Sequence, residues 1–451
     1  GFQRDEPERH IEIEEHFKYG SVGSDRLGIP YWIWRVLPAV FPDHLPEGPG
    51  EDYARFGFIY ERGAPKSRPM GVSYREKFVP QVGLNCAVCH TGTVRDYPEA
   101  PRNLVIGMPA NQFHLQGYIR FLFAAANDKD FNADTLIPAI KEVNPRFSWI
   151  DSLAYRFLVI PRTRDGLREQ VKDFPWMDSR PDQGLGRVDT FTLFKEITNM
   201  QDDTVGTVDL PSLWNQRVRE NMFLHWDGNN DSVDERNINA AIGAGGVRGM
   251  QENLDHDGIT RIGQWIRDLP PPSFPQNKID RSRVAAGEEV YQTHCAQCHA
   301  LDGQYVGQVT EIEDIGTDRE RMDSFTEELA ILFNQTGAGQ PWQFSHFAKT
   351  NGYANMPLDG IWLRAPYLHN GSVPTLRDLL APPQQRPKVF YRGSDVYDYD
   401  NLGFLSSGPE VEGNGFQFDT SLKGNGNQGH EYGTSLSQQQ IDDLLEFLKT
   451  Q

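Results

Sequence analysis

The chain carries Cys86-Ala-Val-Cys89-His90 and, 209 positions later, Cys295-Ala-Gln-Cys298-His299. These are its only four cysteines. With 12 His among 451 residues, the chance that one directly follows both pairs is about 1 in 1,400. The spacing has a chemical reason. Two thiols three positions apart can add across the two vinyl groups of one haem, and the next His then sits beneath the iron as its proximal ligand. A zinc site wants four ligands closing on one metal, whereas each motif here is complete by itself. A redox dithiol needs no His in both copies. Two covalently bound haem c groups are therefore expected, attached through Cys86 and Cys89 and through Cys295 and Cys298, with His90 and His299 on the irons. Covalent haem attachment takes place outside the bacterial cytoplasm, so a periplasmic or secreted protein is expected, its cysteines consumed by thioethers rather than disulfides.

Working outward from the second motif, Val284 to His294 reads as a helix in which Gly287, Val290 and Tyr291 form a G-x-x-V-Y-x-x-x-C lead-in. Ser437-Gln-Gln-Gln440 is a capping box, and Ile441, Leu444, Leu445 and Leu448 follow at i, i+3, i+4, i+7, so the chain closes on an amphipathic helix. Residues 277–451 are thus expected to form one cytochrome c-type domain. The proline run Leu269-Pro-Pro-Pro-Ser-Phe-Pro275 can be neither helix nor central strand and reads as the linker in front of it. Residues 1–270 then hold an N-terminal extension and the first haem domain. That domain is elaborated: its motif follows Pro80-Gln-Val-Gly-Leu-Asn85 instead of a lead-in helix, and 111–172 alternates apolar patches with charges at helical spacing. Pro382 to Pro387 and Gly413 to Gly429 read as long surface loops, and no reliable sheet is visible. The expected class is mainly α, with two cytochrome c-type haem domains and long ordered loops.

Composition narrows the function. The chain has 63 acidic against 44 basic side chains, a net charge of −19, and 38% apolar residues. That is enough for a core, but the charge opposes nucleic-acid binding and attraction to anionic lipid. The longest apolar stretch, Ile29 to Phe41, has 13 residues including Arg35 and two prolines, short of the roughly 20 needed to span a bilayer. Within it, Tyr31-Trp32-Ile33-Trp34 reads more plainly as buried packing than as a substrate-lining surface. The start at Gly1 shows no basic-then-apolar leader, so any export signal is expected to have been removed or to lie outside this sequence.

A weak internal repeat follows the two motifs. Pro211-Ser-Leu-Trp214 leading to Leu224-His-Trp-Asp-Gly228 and Ser232-Val233 parallels Ile361-Trp-Leu-Arg-Ala-Pro366 leading to Leu368-His-Asn-Gly371 and Ser372-Val373. On these elements residues 80–451 resemble the dihaem cytochrome c peroxidases. Phe223 to Val233, Ala365 to Leu376 and Gly429-His-Glu-Tyr-Gly433 look most like the rubber oxygenase branch and its fatty-acid dioxygenase relatives, which oxygenate or cleave carbon–carbon double bonds with O₂. The resemblance implies a dihaem oxidoreductase with an apolar alkene and O₂ as substrates. Its alternatives are a peroxidase that reduces H₂O₂ with electrons from a small redox protein, and a non-enzymatic electron-transfer cytochrome. It also raises a structural Ca²⁺ between the domains.

One departure separates the branches. The peroxidases place a Gln ten and a Glu twenty residues after the W-D-G tryptophan, for proton transfer between the peroxide oxygens. Counting from Trp226 gives Arg236 and Gly246; Glu235 or Glu252 would have to stand in. Trp226 itself is expected between the haems as an electron bridge, and Phe223 as an apolar wall above the first iron. His225 is a candidate sixth ligand to that iron, with hydrogen bonding the plainer reading. Asp189 is expected to fix loop geometry. For the distal side of the second iron three residues compete: His430, favoured by the resemblance, Met356, which lies 57 positions after His299, and His369.

Overall fold

The computed structural model describes residues 6–61 and 67–451. The protein is helix-rich. In the N-terminal half, helices Leu115–Asn127, Ala133–Val143 and Ile160–Gln170 carry the helical spacing read in 111–172, and helix Tyr31–Val40 packs with them. Their apolar faces meet in a core containing Ile33, Trp34, Leu37, Phe121, Leu136 and Ile140. Trp34 stacks on Tyr53 at 4.2 Å and donates through Nε1 to Tyr118 Oη at 3.0 Å. The Tyr31–Trp34 stretch is therefore packed as expected, although Trp34 also reaches a cavity wall.

Short antiparallel strands are present where none was expected. One sheet has three strands, in the order Ile29–Pro30, Gln81–Leu84, Val72–Arg75, and five further pairs have strands of two to four residues. Strands this short show no readable alternation, because packing at one or two positions holds them. In the pair Val389–Arg392 with Phe416–Asp419, buried Phe390 lies opposite buried Phe418. That pair takes part of the Gly413–Gly429 segment out of the loop class.

The three-stranded sheet delivers the chain directly to the first motif. Asn85 caps the one-turn helix Cys86–Cys89 by accepting from the Ala87 N–H at 3.0 Å. The second motif follows helix Arg281–His294, three residues longer at its start than the sequence signal, which packs on the closing helix Gln438–Leu448. Gly287 explains the lead-in pattern: a Cβ there would stand 1.9 Å from the Asp443 carbonyl oxygen, so only glycine permits this crossing. The capping box forms as read, and Leu444, Leu445 and Leu448 are buried.

Residues 269–275 form neither helix nor strand, as the prolines dictate. The apolar clusters nevertheless cross this stretch. Val94, Met108 and Trp214 pack with residues from 274 to 448, while Phe325, Phe333 and Phe347 pack with Phe17, Phe191 and Ile262. The repeat is visible as geometry: isolated bridges join Leu224 to Asn230 and Tyr367 to Val373, closing two loops of equal length. In the first loop His225 and Trp226 are both left-handed, at φ 67° each, and in the second Leu368 has φ 67°. Such strain persists only where the surroundings enforce it, and it clusters at functional sites.

Candidate functional site

Both motifs open into one cavity of about 770 Å³, within the roughly 300–1,000 Å³ of ligand sites. All four cysteines, His90, His299 and His430 line it. Its walls are mainly apolar, with Leu115, Leu122, Phe174, Trp176 and Phe191 on the side of the first motif and Leu376, Leu380 and Leu444 on that of the second.

The donor set fits two c-type haems. No cysteine is in a disulfide. Burial pushes the thiols of Cys86, Cys89 and Cys295 up to about 11, 12 and 11, and Cys298 upward too, so the sulfurs are reduced and carry their protons at neutral pH. His90 Nδ1 lies 2.8 Å from the Pro211 carbonyl, and His299 Nδ1 lies 2.7 Å from that of Met356. A carbonyl only accepts, so each Nδ1 carries the proton and each Nε2 keeps a lone pair for a metal. Burial lowers the His90 imidazole to about 4 and lowers His299 as well, which keeps both in this neutral form.

The two imidazoles differ in what stands opposite. The His430 ring centre is 6.3 Å from that of His299. A metal–imidazole bond of about 2 Å on each side plus about 1 Å from ring nitrogen to ring centre spans about 6 Å, so one metal atom fits between the rings. The loop bearing His430 is fixed. Its N–H donates to the Ile315 carbonyl at 2.7 Å, and buried Arg386 donates to the carbonyls of Leu379, Ala381, Asn427, Gly429 and His430. Burial, with His299 nearby, lowers His430 to about 4. Met356 contributes its carbonyl behind His299, and His369 is stacked on Tyr353 at 4.1 Å with its Nε2 3.1 Å from the Tyr353 hydroxyl. No ring contact is found for His90 among the described residues.

Trp226 lines the cavity, donates through Nε1 to the Asp209 carbonyl at 3.1 Å, and packs against Ile312, Ile315, Met322 and Tyr353. It thus touches the strand that precedes Pro211 as well as the element that holds His430. His225 also lines the cavity, and its buried Nε2 has no hydrogen-bond partner. Phe223 is not on the cavity wall. Its N–H donates to the Gly307 carbonyl at 2.9 Å and its side chain sits beside Gly228, near Val309. The two left-handed residues after it turn the chain so that His225 and Trp226, not Phe223, face inward. The apolar wall by the first motif comes instead from helix Val233–Ala244, which packs on the Cys86–Cys89 turn and presents Ala240, Gly243 and Ala244.

Neither stand-in carboxylate faces the cavity. Glu235 is buried and accepts from the N–H groups of Ser345 and His346 and from Asn230 Nδ2, and Glu252 is exposed. Two carboxylates do line the wall. Asp189 accepts from the N–H groups of Phe191, Thr192 and Gly206, as its expected loop role requires, and Asp209 is paired with Arg392. No group of three or more His, Cys, Asp or Glu able to hold a metal ion occurs among the described residues, so the Ca²⁺ raised by resemblance has no such carboxylate cluster there. Sequence reading also missed the Pro211 and Met356 carbonyls and the Arg386 clamp, since a backbone acceptor leaves no residue signature.

Residues 284–364 match the cytochrome c family and residues 352–391 the family described as "RoxA-like, cytochrome c-like". Two uncharacterized proteins of Sinorhizobium fredii are similar. One, y4iM, is 31% identical over 256 residues, 51% of this chain and 57% of that protein; the chain thus spans little more than half of it. The other, y4iJ, is 27% identical over 556 aligned positions, 96% of this chain and 90% of that protein. These matches support a relationship to RoxA-like cytochromes c, and a cytochrome c domain implies covalently bound haem c. With two complete motifs, the intact holoprotein is expected to weigh two haems more than its polypeptide, and Cys86→Ala with Cys89→Ala one haem more. Mass spectrometry showing one haem on the unmodified chain would overturn this count.

Proposed function

We propose that this haem c oxidoreductase is a periplasmic or secreted dihaem dioxygenase. It would oxygenate or cleave a C=C bond of an apolar substrate at the first haem, while the second haem serves electron transfer. The first would be held within residues 1–270 by Cys86, Cys89 and His90, and the second within 277–451 by Cys295, Cys298, His299 and His430. One observation carries this reading: His299 faces a second imidazole across a metal-sized gap, whereas no ring contacts His90 among the described residues. That division also argues against a purely electron-transferring cytochrome.

When bound, haem supplies a redox-active iron that can engage O₂. The residues supply the rest. Pro211 holds the His90 tautomer, the cavity walls exclude water and accept an alkene, and Trp226 spans the ground between the two sites. Peroxide reduction asks for a group that takes a proton from one oxygen and gives it to the other, help worth about 10²- to 10⁴-fold. Both wall carboxylates are already engaged, which favours the oxygenase. One observation favours the peroxidase: buried His225 is neutral, burial and Arg236 holding it well below the usual histidine range, and its Nε2 is unpartnered.

The test supplies ¹⁸O₂ with candidate alkenes and, separately, H₂O₂ with a reduced small redox protein. Both labelled atoms are expected in the alkene product, with slow peroxide turnover. Fast peroxide-dependent oxidation of the donor without labelled product would reverse the assignment.

A further inference from the structure

The helix that starts at Trp149 wears apolar residues on its outer side. Ser148 opens it with a capping box: its hydroxyl accepts from the Asp151 N–H at 3.1 Å, and the Asp151 carboxylate accepts from the Ser148 N–H at 2.8 Å. Trp149–Ala154, a π-helical turn Tyr155–Val159 and Ile160–Gln170 then run on without a break. The wide turn suits Pro161, which has no N–H to give the Phe157 carbonyl. Tyr155, Val159, Ile160 and Leu167 enter the core. Trp149, Ile150, Leu153, Phe157 and Leu158 stay outside, each between 46% and 73% exposed. Single exposed apolar side chains are ordinary, but five within ten residues make a patch, and such patches mark interaction sites.

The charge around the patch is the reverse of the molecule's. Residues 141–168 hold six basic side chains against three acidic ones, in a chain that carries −19 overall. Arg156 pairs with Asp134 at 2.7 Å and Arg164 with Asp165 at 3.1 Å. Arg146 and Arg162 are exposed and make no ion pair among the described residues. Exposed charges more than about 8 Å apart are largely screened at physiological salt, so distant acids do not cancel this local excess. They favour one orientation instead, since an acidic body turns its basic face toward an anionic surface.

That charge decides between occupants. A symmetric contact between two copies would set the same arginines against one another. None of the five apolar residues lines the cavity, so the patch is no part of that site. A helical ridge with large rings and aliphatic side chains, flanked by guanidinium groups on long stems, suits a membrane interface. No helix among the described residues is long and apolar enough to cross a membrane, so the contact is with the surface.

We propose that Trp149, Ile150, Leu153, Phe157 and Leu158 form a docking surface for an anionic phospholipid bilayer. The apolar side chains enter the headgroup boundary while Arg146 and Arg162 meet lipid phosphates. The inference goes beyond the dioxygenase reading and does not rest on it.

The experiment floats the holoprotein with vesicles of equal parts phosphatidylglycerol and phosphatidylcholine, and with vesicles of phosphatidylcholine alone. Binding to the first is expected at low salt, with a loss at high salt and a weaker interaction with the second. Trp149→Ser with Phe157→Ser should weaken binding by about 100-fold, two large apolar side chains having left the interface. Arg146→Gln with Arg162→Gln should weaken it by about 25-fold, about fivefold for each charge. Leu422→Ser, at an exposed apolar position elsewhere, should change nothing. Trp149 is the most exposed tryptophan, so brominated lipid should quench its fluorescence, and Trp149→Phe should abolish that quenching while keeping the binding. No flotation of the unmodified holoprotein with the anionic vesicles would overturn the proposal, as would flotation that both double variants retain undiminished. Equal binding to neutral vesicles would remove its anionic lipid and overturn it too. Sedimentation velocity checks the remaining occupant: a dimer that Trp149→Ser with Phe157→Ser separates, without vesicle binding by either form, would give the face to a second copy and sink the idea.

Discussion

Replacing His430 by Ala is expected to convert the second haem from six-coordinate low spin to a form with an open or water-filled site, while the first haem's spectrum stays as it was. The effect should be close to complete for one of the two haems, because no other imidazole is poised to substitute. His369 is held 3.1 Å from the Tyr353 hydroxyl in a stack, and Met356 is tied through its carbonyl to the other side of His299. His430 presents a neutral ring at neutral pH, since burial holds it near 4, and its backbone is pinned by Arg386 and by Ile315. The sign of the pH dependence follows. The imidazole binds its proton less readily here than in an unfolded chain, so the neutral, ligating form prevails at neutral pH and ligation should be lost on acidification and not on raising the pH. Resonance Raman and electron paramagnetic resonance spectra of the three alanine variants check this. If Met356→Ala or His369→Ala abolishes the low-spin signal while His430→Ala does not, the ligand has been misassigned.

What could be read in advance follows from how each feature is encoded. The haem motifs, the lead-in helix and the closing helix were legible because covalent spacing or a 3.6-residue period writes them directly into the chain. Gly287 marks the crossing of those helices, and the structure supplies the reason: the Asp443 carbonyl takes the space of a side chain. The sheets were not legible, since strands such as Ile29–Pro30 are too short to alternate. Nor was the interleaving of the cores, in which Trp214 packs among residues that follow the proline run and Phe333 among residues that precede it. The resemblance pointed to Trp226, which lines the cavity, and to Phe223, three residues earlier, which does not, because two successive left-handed residues reverse the facing of the chain. Counting ten residues from Trp226 found Arg236 only as the replacement for a glutamine. Its lack of an ion pair among the described residues depends on which carboxylates the fold turns away, above all Glu235, which is spent on the Ser345 and His346 amides.

The same loop gives the largest expected loss of stability. Asp227 and Arg321 are both about 2% exposed at the side chain and lie 3.2 Å apart. Arg321 also donates to the His225 carbonyl at 3.2 Å and to the Thr190 hydroxyl, and its guanidinium lies 3.7 Å from the centre of the Phe191 ring. This one cation therefore ties down the strained His225–Trp226 pair from the far side. Asp227→Ala leaves it buried without a counter-charge, which typically costs about 3–5 kcal/mol, a large share of the roughly 5–15 kcal/mol that holds a folded domain together. Arg321→Leu alone removes the charge but orphans the Asp227 carboxylate, whereas Asp227→Ala with Arg321→Leu removes both. The double variant should thus be less destabilised than the two single losses added together, leaving a coupling of a few kcal/mol, since a buried pair can be replaced by apolar groups far more cheaply than it can be broken. Denaturant titration of the four holoproteins measures the cycle. Additive losses, or a loss below about 1 kcal/mol for Asp227→Ala, would show that Arg321 is held by its carbonyl, hydroxyl and ring contacts alone. If Trp226 carries electrons between the haems, as we propose, a second readout follows: with its anchor gone the indole should leave its bond to the Asp209 carbonyl, slowing exchange between the haems in any variant that still carries both.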